Sequence, residues 1–228
     1  MATDFAAHAF DRDIGRLRGM LSQMGGLAEQ AIHDAINALQ RADTALATQI
    51  RESDKSIDVL QAEVEALAVS IIAGRKLVDG DLRDVVAALK IAGVIERIGD
   101  YAKNIAKRVP LIDGEERIEP ISVIPAMARI AAEMVHDVLD AFAARDAQGA
   151  VLVCERDRLL DDFYDGIFRM LVTYMVENPK TIGQVAHLLF VAKNLERIGD
   201  HATNVAEMVY FAATGEQMPE RVKTGGAA

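Results

Sequence analysis

The stretch Glu96-Arg97-Ile98-Gly99-Asp100 is written a second time, residue for residue, as Glu196-Arg197-Ile198-Gly199-Asp200. A packed core seldom needs an arginine and a glycine set between two carboxylates, and still less often needs it twice. Around the pentapeptide, IAGVIERIGDYAKNIAKRV (91–109) aligns without gaps to VAKNLERIGDHATNVAEMV (191–209), in the shared frame E-R-I-G-D-x-A-x-N-[IV]-A. Upstream the match continues at an offset of 103. His33-Asp34 meets His136-Asp137, Asp43 meets Asp146, Glu52 and Asp54 meet Glu155 and Asp157, and Asp58 meets Asp161. The offset drops to 100 between AGRKLVDGDL (73–82) and VENPKTI (176–182). A length change confined to a turn is what two diverged copies of one unit show, because turns tolerate insertion.

Each unit reads as three helices. In the first, apolar residues recur at helical spacing through Met24, Leu27, Ala31, Ala35 and Leu39, and then from Asp54 to Ala73 through Ile57, Leu60, Val64, Leu67 and Ile71. Asp81 is the expected N-cap of a third helix that carries the pentapeptide to near Val109. The expected fold is all-α, two tandem antiparallel three-helix bundles related by the repeat. The units span 1–112 and 120–215, with a linker over 113–119 and a tail over 216–228 that has no period and is expected to be mobile.

Composition agrees. Of 228 residues, 51% are hydrophobic but only 5% aromatic, a mixture of Ala, Leu, Ile, Val and Met that suits helices. A formal charge of −10 with no basic stripe argues against nucleic acid as partner. No secretory h-region and no apolar run of spanning length is present, and the single cysteine, Cys154, excludes an internal disulfide framework. A cytoplasmic location is expected, with Cys154 a half-buried apolar residue.

On a helical wheel with Glu96 at zero, Asp100 falls at about 40° and Asn104 at about 80°, opposite the apolar Ile91, Ile98, Ala102, Ile105 and Val109. Glu196, Asp200 and Asn204 repeat this row. Glu207 extends it where the first copy has Lys107, so the second row is expected to be the more acidic. Carboxylates four apart repel by a few tenths of a kcal/mol, and Gly99 and Gly199 each cost about 1 kcal/mol in a helix interior. Both costs recur in both copies. A cluster of hard oxygen ligands turns that repulsion into attraction for a cation. Asp54, Asp58, Asp157 and Asp161 on the second helices supply further oxygens if helices two and three are neighbours. The expectation is a surface-exposed, oxygen-rich site per unit for Fe, Mn, Mg or Zn, mononuclear or multinuclear. Arg97 and Arg197 would brace the carboxylates, and the glycines would admit a close approach. The alternative is a solvated acidic face paired with those arginines.

Other constellations are weaker. Glu133-x-x-His136 has di-iron spacing, but its counterpart is Gln30-x-x-His33. HDAIN (33–37) resembles a phospho-accepting helix, yet its partner HDVLD lacks the final Asn. A carboxylate-bundle metalloenzyme and a histidine phosphotransfer module thus stand as alternatives to a non-enzymatic role; no nucleotide-binding or nucleophile motif appears.

The tandem E-R-I-G-D-x-A-x-N units, SQMGGLAEQAI…ALQRAD in the first helix, and DLRDVVAALKIA before the motif together resemble the PhoU family of phosphate-signalling regulators. The resemblance covers residues 10–215. It implies metal clusters ligated through E/D-x-x-x-D pairs, here Glu96 with Asp100 and Glu196 with Asp200, with Asp54, Asp58, Asp157 and Asp161 as companions. It also implies a negative regulator of phosphate uptake, linking the phosphate ABC transporter (through its ATPase subunit) to a sensor histidine kinase at the cytoplasmic membrane face. A homodimer is expected. The chain departs from the family pattern at Lys76-Leu77, often Gln-Pro, and at Val94, often polar or acidic.

Overall fold

The computed structural model describes residues 2–74, 77–112 and 118–219, with side chains from Phe10 onward. In the first unit α1 (Ala2–Arg41), α2 (Thr44–Ser53), α3 (Lys55–Gly74) and α4 (Asp79–Ala106) follow one another, then the short α5 (Val109–Ile112). A 3-10 turn, Glu119–Val123, leads into the second unit of α6 (Ile124–Ala144), α7 (Ala147–Glu177) and α8 (Ile182–Thr214). Among the described residues there is no strand, and no helix is long and apolar enough to cross a membrane. Most of the expected linker and the end of the tail (113–117 and 220–228) lie outside the described residues.

The first corner of each unit is built the same way. Ala42 (φ 52°) and Arg145 (φ 53°) turn left-handed, and the next amide reaches back five residues, Asp43 N to Ala38 O at 2.9 Å and Asp146 N to Ala141 O at 2.8 Å. Each aspartate then caps the following helix, Asp43 accepting from Leu46 N and Asp146 from Gln148 N. This satisfies orphan groups at both helix ends within three residues. The expectation for the second helix therefore needs correcting: it starts at Thr44, not Asp54. In the first unit it breaks at Asp54, whereas α7 runs unbroken through Asp157. Asp81 does not cap α4 either. That helix starts at Asp79 with Val78 before it and no side-chain cap.

The two pentapeptide helices form the centre. Ile91, Ile95, Ile98, Ala102 and Ile105 of α4, with Val191, Leu195, Ile198, Ala202 and Val205 of α8, are at most 1% exposed and belong to one continuous core. Leu and Ile side chains buried to this degree each contribute about 1.5–3 kcal/mol. α4 packs on α1 and α3, α8 on α6 and α7, and α4 and α8 pack on each other. They run antiparallel: Arg83 lies against Gly215, Tyr101 against His201 and Arg108 against His187. Tyr101 and His201 are the same position in the two copies, so a pseudo-twofold axis passes beside that stacked pair. The units also meet where α1 crosses α6. A Cβ on Gly25 would stand 2.0 Å from Leu139 Cδ1, so only glycine allows that approach.

An ion cluster around the buried Asp84 joins the units at one end. Asp84 on α4 accepts from Arg18 of α1 at 3.2 Å and lies 3.2 Å from Arg145, which also donates to Ala212 O of α8. Burial outweighs both arginines and raises the Asp84 carboxyl above its usual range. Removing both arginines would leave the buried Asp84 charge uncompensated, which is costlier than losing a surface pair.

Candidate functional site

The residues that place the acidic groups are the glycines. Ile57 Cδ1 of α3 sits 2.7 Å from where a Cβ of Gly99 would be, and Asp54 Oδ1 sits 3.5 Å from it. The second copy repeats this with Leu160 Cδ2 at 2.3 Å and Asp157 Oδ1 at 3.4 Å from the Cβ position of Gly199. The close approach expected of these glycines is made by an apolar side chain of the second helix, one turn beyond its aspartate. The same contact draws the second-helix acids against the third-helix acids.

Four carboxylates consequently share a neighbourhood in each unit. In the first, partial burial and then the charges of Asp100, Asp58 and Asp54 raise the Glu96 carboxyl, with Arg97 opposing only across space. In the second, partial burial and then Asp157, Glu196, Asp200 and Asp165 push Asp161 up to about 6. Asp200 is likewise raised, by burial and then by Glu196 and Asp157. Asp58 and Asp161 are exposed, but Asp54 and Asp157 are 9% and 6% exposed. The expected surface rows are thus half-sunken clusters, because the second helix lies closer than an edge position on the wheel implies.

The two clusters differ in how their charge is answered. In the first, Lys103 donates to Asp54 and, at 2.9 Å, to Asp100, and both bonds hold the ammonium protonated. In the second, the matching residue is Thr203, buried, with its hydroxyl turned back to the Asp200 carbonyl at 2.7 Å. The cation there is Lys193 at the rim, 2.6 Å from Glu196 Oε1; burial opposes its charge, but the bond to Glu196 raises its pKa all the same. The other oxygen, Glu196 Oε2, is buried with no hydrogen-bond partner.

Several expected members stand elsewhere. Asn104 accepts from Lys107 at 3.0 Å. Asn204 stands beside His201, and Glu207 lines a groove between α4 and α8; neither joins the Glu196 cluster. Each site thus has four acids and one lysine. Lys103 lies between two acids in the first, whereas Lys193, in place of Gly93, reaches one acid at the rim of the second. The expected contribution of Glu207 in place of Lys107 is not made. Arg97 and Arg197 form no ion pair with the acids among the described residues. Arg197 stands 5.9 Å over the Tyr101 ring, and both arginines, after burial, lower the His201 pKa. The reason is helical geometry: one residue past Glu96 is a turn of about 100°, toward the partner helix rather than the acids. His33 and His136 are exposed, and Cys154 is fully buried rather than half-buried. Sequence reasoning missed Lys103 and Asp84. The K/T mismatch inside an otherwise matching frame was a readable signal for Lys103; nothing local marked Asp84.

Among the described residues no three acids, histidines or cysteines are already drawn together tightly enough to grip a metal ion. The chemistry of the second cluster nevertheless suits a hard cation: four anionic oxygen donors, one buried and unpartnered oxygen, and mutual repulsion that a cation would relieve.

The PhoU domain model matches residues 21–109 and 124–209. A Zymomonas mobilis protein named phosphate-specific transport system accessory protein PhoU homolog is 54% identical over 94% of this chain and 91% of its own length. The similarly named Escherichia coli protein is 36% identical over 91% and 86%. The crystal structure of PhoU from Pseudomonas aeruginosa superposes with a TM-score of 0.86 at 36% identity, covering 91% of this chain and all of that one. The phosphate transport system regulatory protein PhoU from Streptococcus pneumoniae gives 0.85 at 25% identity, over 92% and 99%.

Proposed function

The chain belongs to the PhoU family, whose members matched here are named accessory and regulatory proteins rather than enzymes, and from that premise we propose a cation-dependent regulatory adaptor of a phosphate-specific transport system. It restrains phosphate uptake and starvation signalling by contacting the transporter's ATPase subunit and a sensor histidine kinase at the cytoplasmic membrane face. The observation that carries the cation is Glu196 Oε2, buried and unpartnered amid Asp157, Asp161 and Asp200. These four residues would hold the ion. Fe, Mn, Zn and Mg all accept oxygen donors, and the site's chemistry does not select among them.

What a bound cation supplies is positive charge, which offsets the repulsion among the four acids and presents a less acidic face to partners. In the first unit Lys103 already plays this part for Asp54 and Asp100, so Asp58 and Glu96 take a second ion only if the ammonium moves aside. Gly199 sets the helix spacing by admitting the buried Leu160 side chain. The exposed row Phe168, Val172 and Val176, at i, i+4 and i+8 of α7, supports a homodimer as part of the same reading.

Elemental analysis of the purified chain, followed by titration with Mn²⁺ and Zn²⁺, tests the cation. Uptake by the native chain, lost in Glu196→Gln with Asp200→Asn while the circular dichroism stays helical, is expected. Copurification with the transporter ATPase subunit, weaker after chelation, tests the adaptor role. A chain that takes up no polyvalent ion would refute the cation reading.

A further inference from the structure

The antiparallel α4–α8 pair makes two grooves related by the pseudo-twofold axis at Tyr101 and His201, and the chain treats them unequally. One lies between the second half of α4 and the first half of α8, and Arg108 lies across it. Arg108 lies 4.6 Å over the Phe190 ring and 3.2 Å from His187 Nδ1. The other lies between the first half of α4 and the end of α8. It is open, with a cavity of about 720 Å³.

The open groove has an ordered chemistry. Along α4 it is lined by Arg83, Val86, Ala87, Lys90, Val94 and Arg97. The three cations fall at i, i+7 and i+14, so they stand in one row along a stretch of about 21 Å, with apolar residues between them. The facing wall from α8 and the segment after it contributes Met208, Phe211 and Met218, with Phe211 43% exposed. Glu207 is the one acid in the lining. Among the described residues no carboxylate lies within ion-pair distance of Arg83, Lys90 or Arg97. Gly215, left-handed at φ 80°, lets the Arg83 guanidinium lie against the end of α8, 3.3 Å from where a Cβ would be.

Two features set this groove apart. At the offset of 100, Arg83 corresponds to Gly183, Lys90 to Phe190 and Met208 to Arg108. Two of the three cations, Arg83 and Lys90, and Met208 of the floor belong to the open groove alone, whereas Arg97 is matched by Arg197 and Phe211 by Leu111. The chain as a whole carries a formal charge of −10, and against that background a row of three unanswered cations is a local reversal of sign. Such a reversal steers and orients an anionic partner.

We propose that the groove between the first half of α4 and the end of α8 is the docking site for an acidic amphipathic helix of a partner protein. The partner's apolar face seats on Val94, Met208, Phe211 and Met218, and its carboxylates, one every two turns, meet Arg83, Lys90 and Arg97. Helix-in-groove recognition takes its affinity from the apolar face and its register from the charges. The inference is independent of any bound cation.

The test uses the full chain, with and without chelator, and two labelled helical peptides of about 21 residues sharing one leucine face. One carries Glu at positions 1, 8 and 15 of its flank, the other Lys. Anisotropy should show saturable binding of the acidic peptide, weakened about tenfold when salt rises from about 50 to 500 mM. Lys90→Glu with Arg97→Glu should weaken it at least about tenfold, and Glu207→Gln should leave it equal or tighter. Both substituted cations are exposed, so circular dichroism should remain native. Equal binding of the lysine peptide, an acidic peptide indifferent to the double substitution, or no saturable binding would overturn the proposal. So would capture of anionic phosphatidylglycerol vesicles in place of the peptide, or a change from dimer to monomer in the double variant without peptide binding. Loss of metal uptake with peptide binding intact would defeat the cation reading and leave this one standing.

Discussion

The two copies of Glu-Arg-Ile-Gly-Asp are identical in sequence and both helical, yet a lysine bridges two acids in one and only reaches the rim of the other. Lys103 reaches across from α4 and answers Asp54 and Asp100. In the second copy Thr203 turns away, Lys193 pairs with Glu196 and lies 5.2 Å over the Tyr164 ring, and a buried Glu196 oxygen goes without a hydrogen-bond partner. Two positions, Lys103 against Thr203 and Gly93 against Lys193, thus decide whether the ammonium sits between two acids or beside one. Repeated motifs set where charges collect; unrepeated neighbours decide what answers them.

The sharpest way to break this contrast is to disarm each cluster in turn. Glu196→Gln with Asp200→Asn should lower cation affinity at least about a hundredfold, roughly 2.7 kcal/mol. Glu96→Gln with Asp100→Asn should change it less than about threefold. Equal losses, measured by calorimetric titration, would show that Lys103 does not distinguish the sites.

Exchanging the deciding residue comes next. Lys103→Thr strips Asp54, whose side chain is 8% exposed, of its partner and should destabilise the metal-free chain by about 2 kcal/mol in urea unfolding. Added Mn²⁺ should recover much of that loss and raise the stoichiometry. Thr203→Lys should do the reverse and abolish uptake at the second cluster.

A smaller effect follows from Asp161. Its carboxyl lies at about 6 in the folded chain, above its ordinary value of 3.8. A raised carboxylate pKa means that ionisation costs stability: the cost is absent below pH 3.8, grows up to about 6, and is complete above it. Asp161→Asn should therefore raise the Tm of the metal-free chain by roughly 2 °C at pH 7.5 and leave it unchanged at pH 3.5. Because the Asp161 side chain is exposed, solvent screening keeps the gain below about 1 kcal/mol. Cation affinity should rise with pH over the same window, and an affinity flat from pH 5 to 7 would count against Asp161 as a ligand.

The smallest difference concerns the glycines. Ala at either position gains about 1 kcal/mol of helix propensity but overlaps a buried side-chain methyl, a cost of about 1–3 kcal/mol. The overlap is tighter at Gly199, 2.3 Å against 2.7 Å, so Gly199→Ala should be the more destabilising by a few tenths of a kcal/mol. A reversed order in thermal melts would mean that the α7–α8 contact is the softer one.

Local order determined much of this protein in one dimension. A 3.6-residue period and a self-match at offsets of 103 and 100 suffice for an all-α duplicated fold, and four residues repeated on one side of a helix suffice to mark Glu96, Asp100, Glu196 and Asp200. Those signals are local, since a helix's faces follow from its own spacing. The depth of Asp54 and Asp157, the turning of Arg97 and Arg197 toward the axis, the Arg18–Asp84–Arg145 cluster and the unequal grooves follow from which helix lies against which. Only packing decides those, because residues 66 apart meet through the approach of whole helices, and no single helix's periodicity records its neighbour.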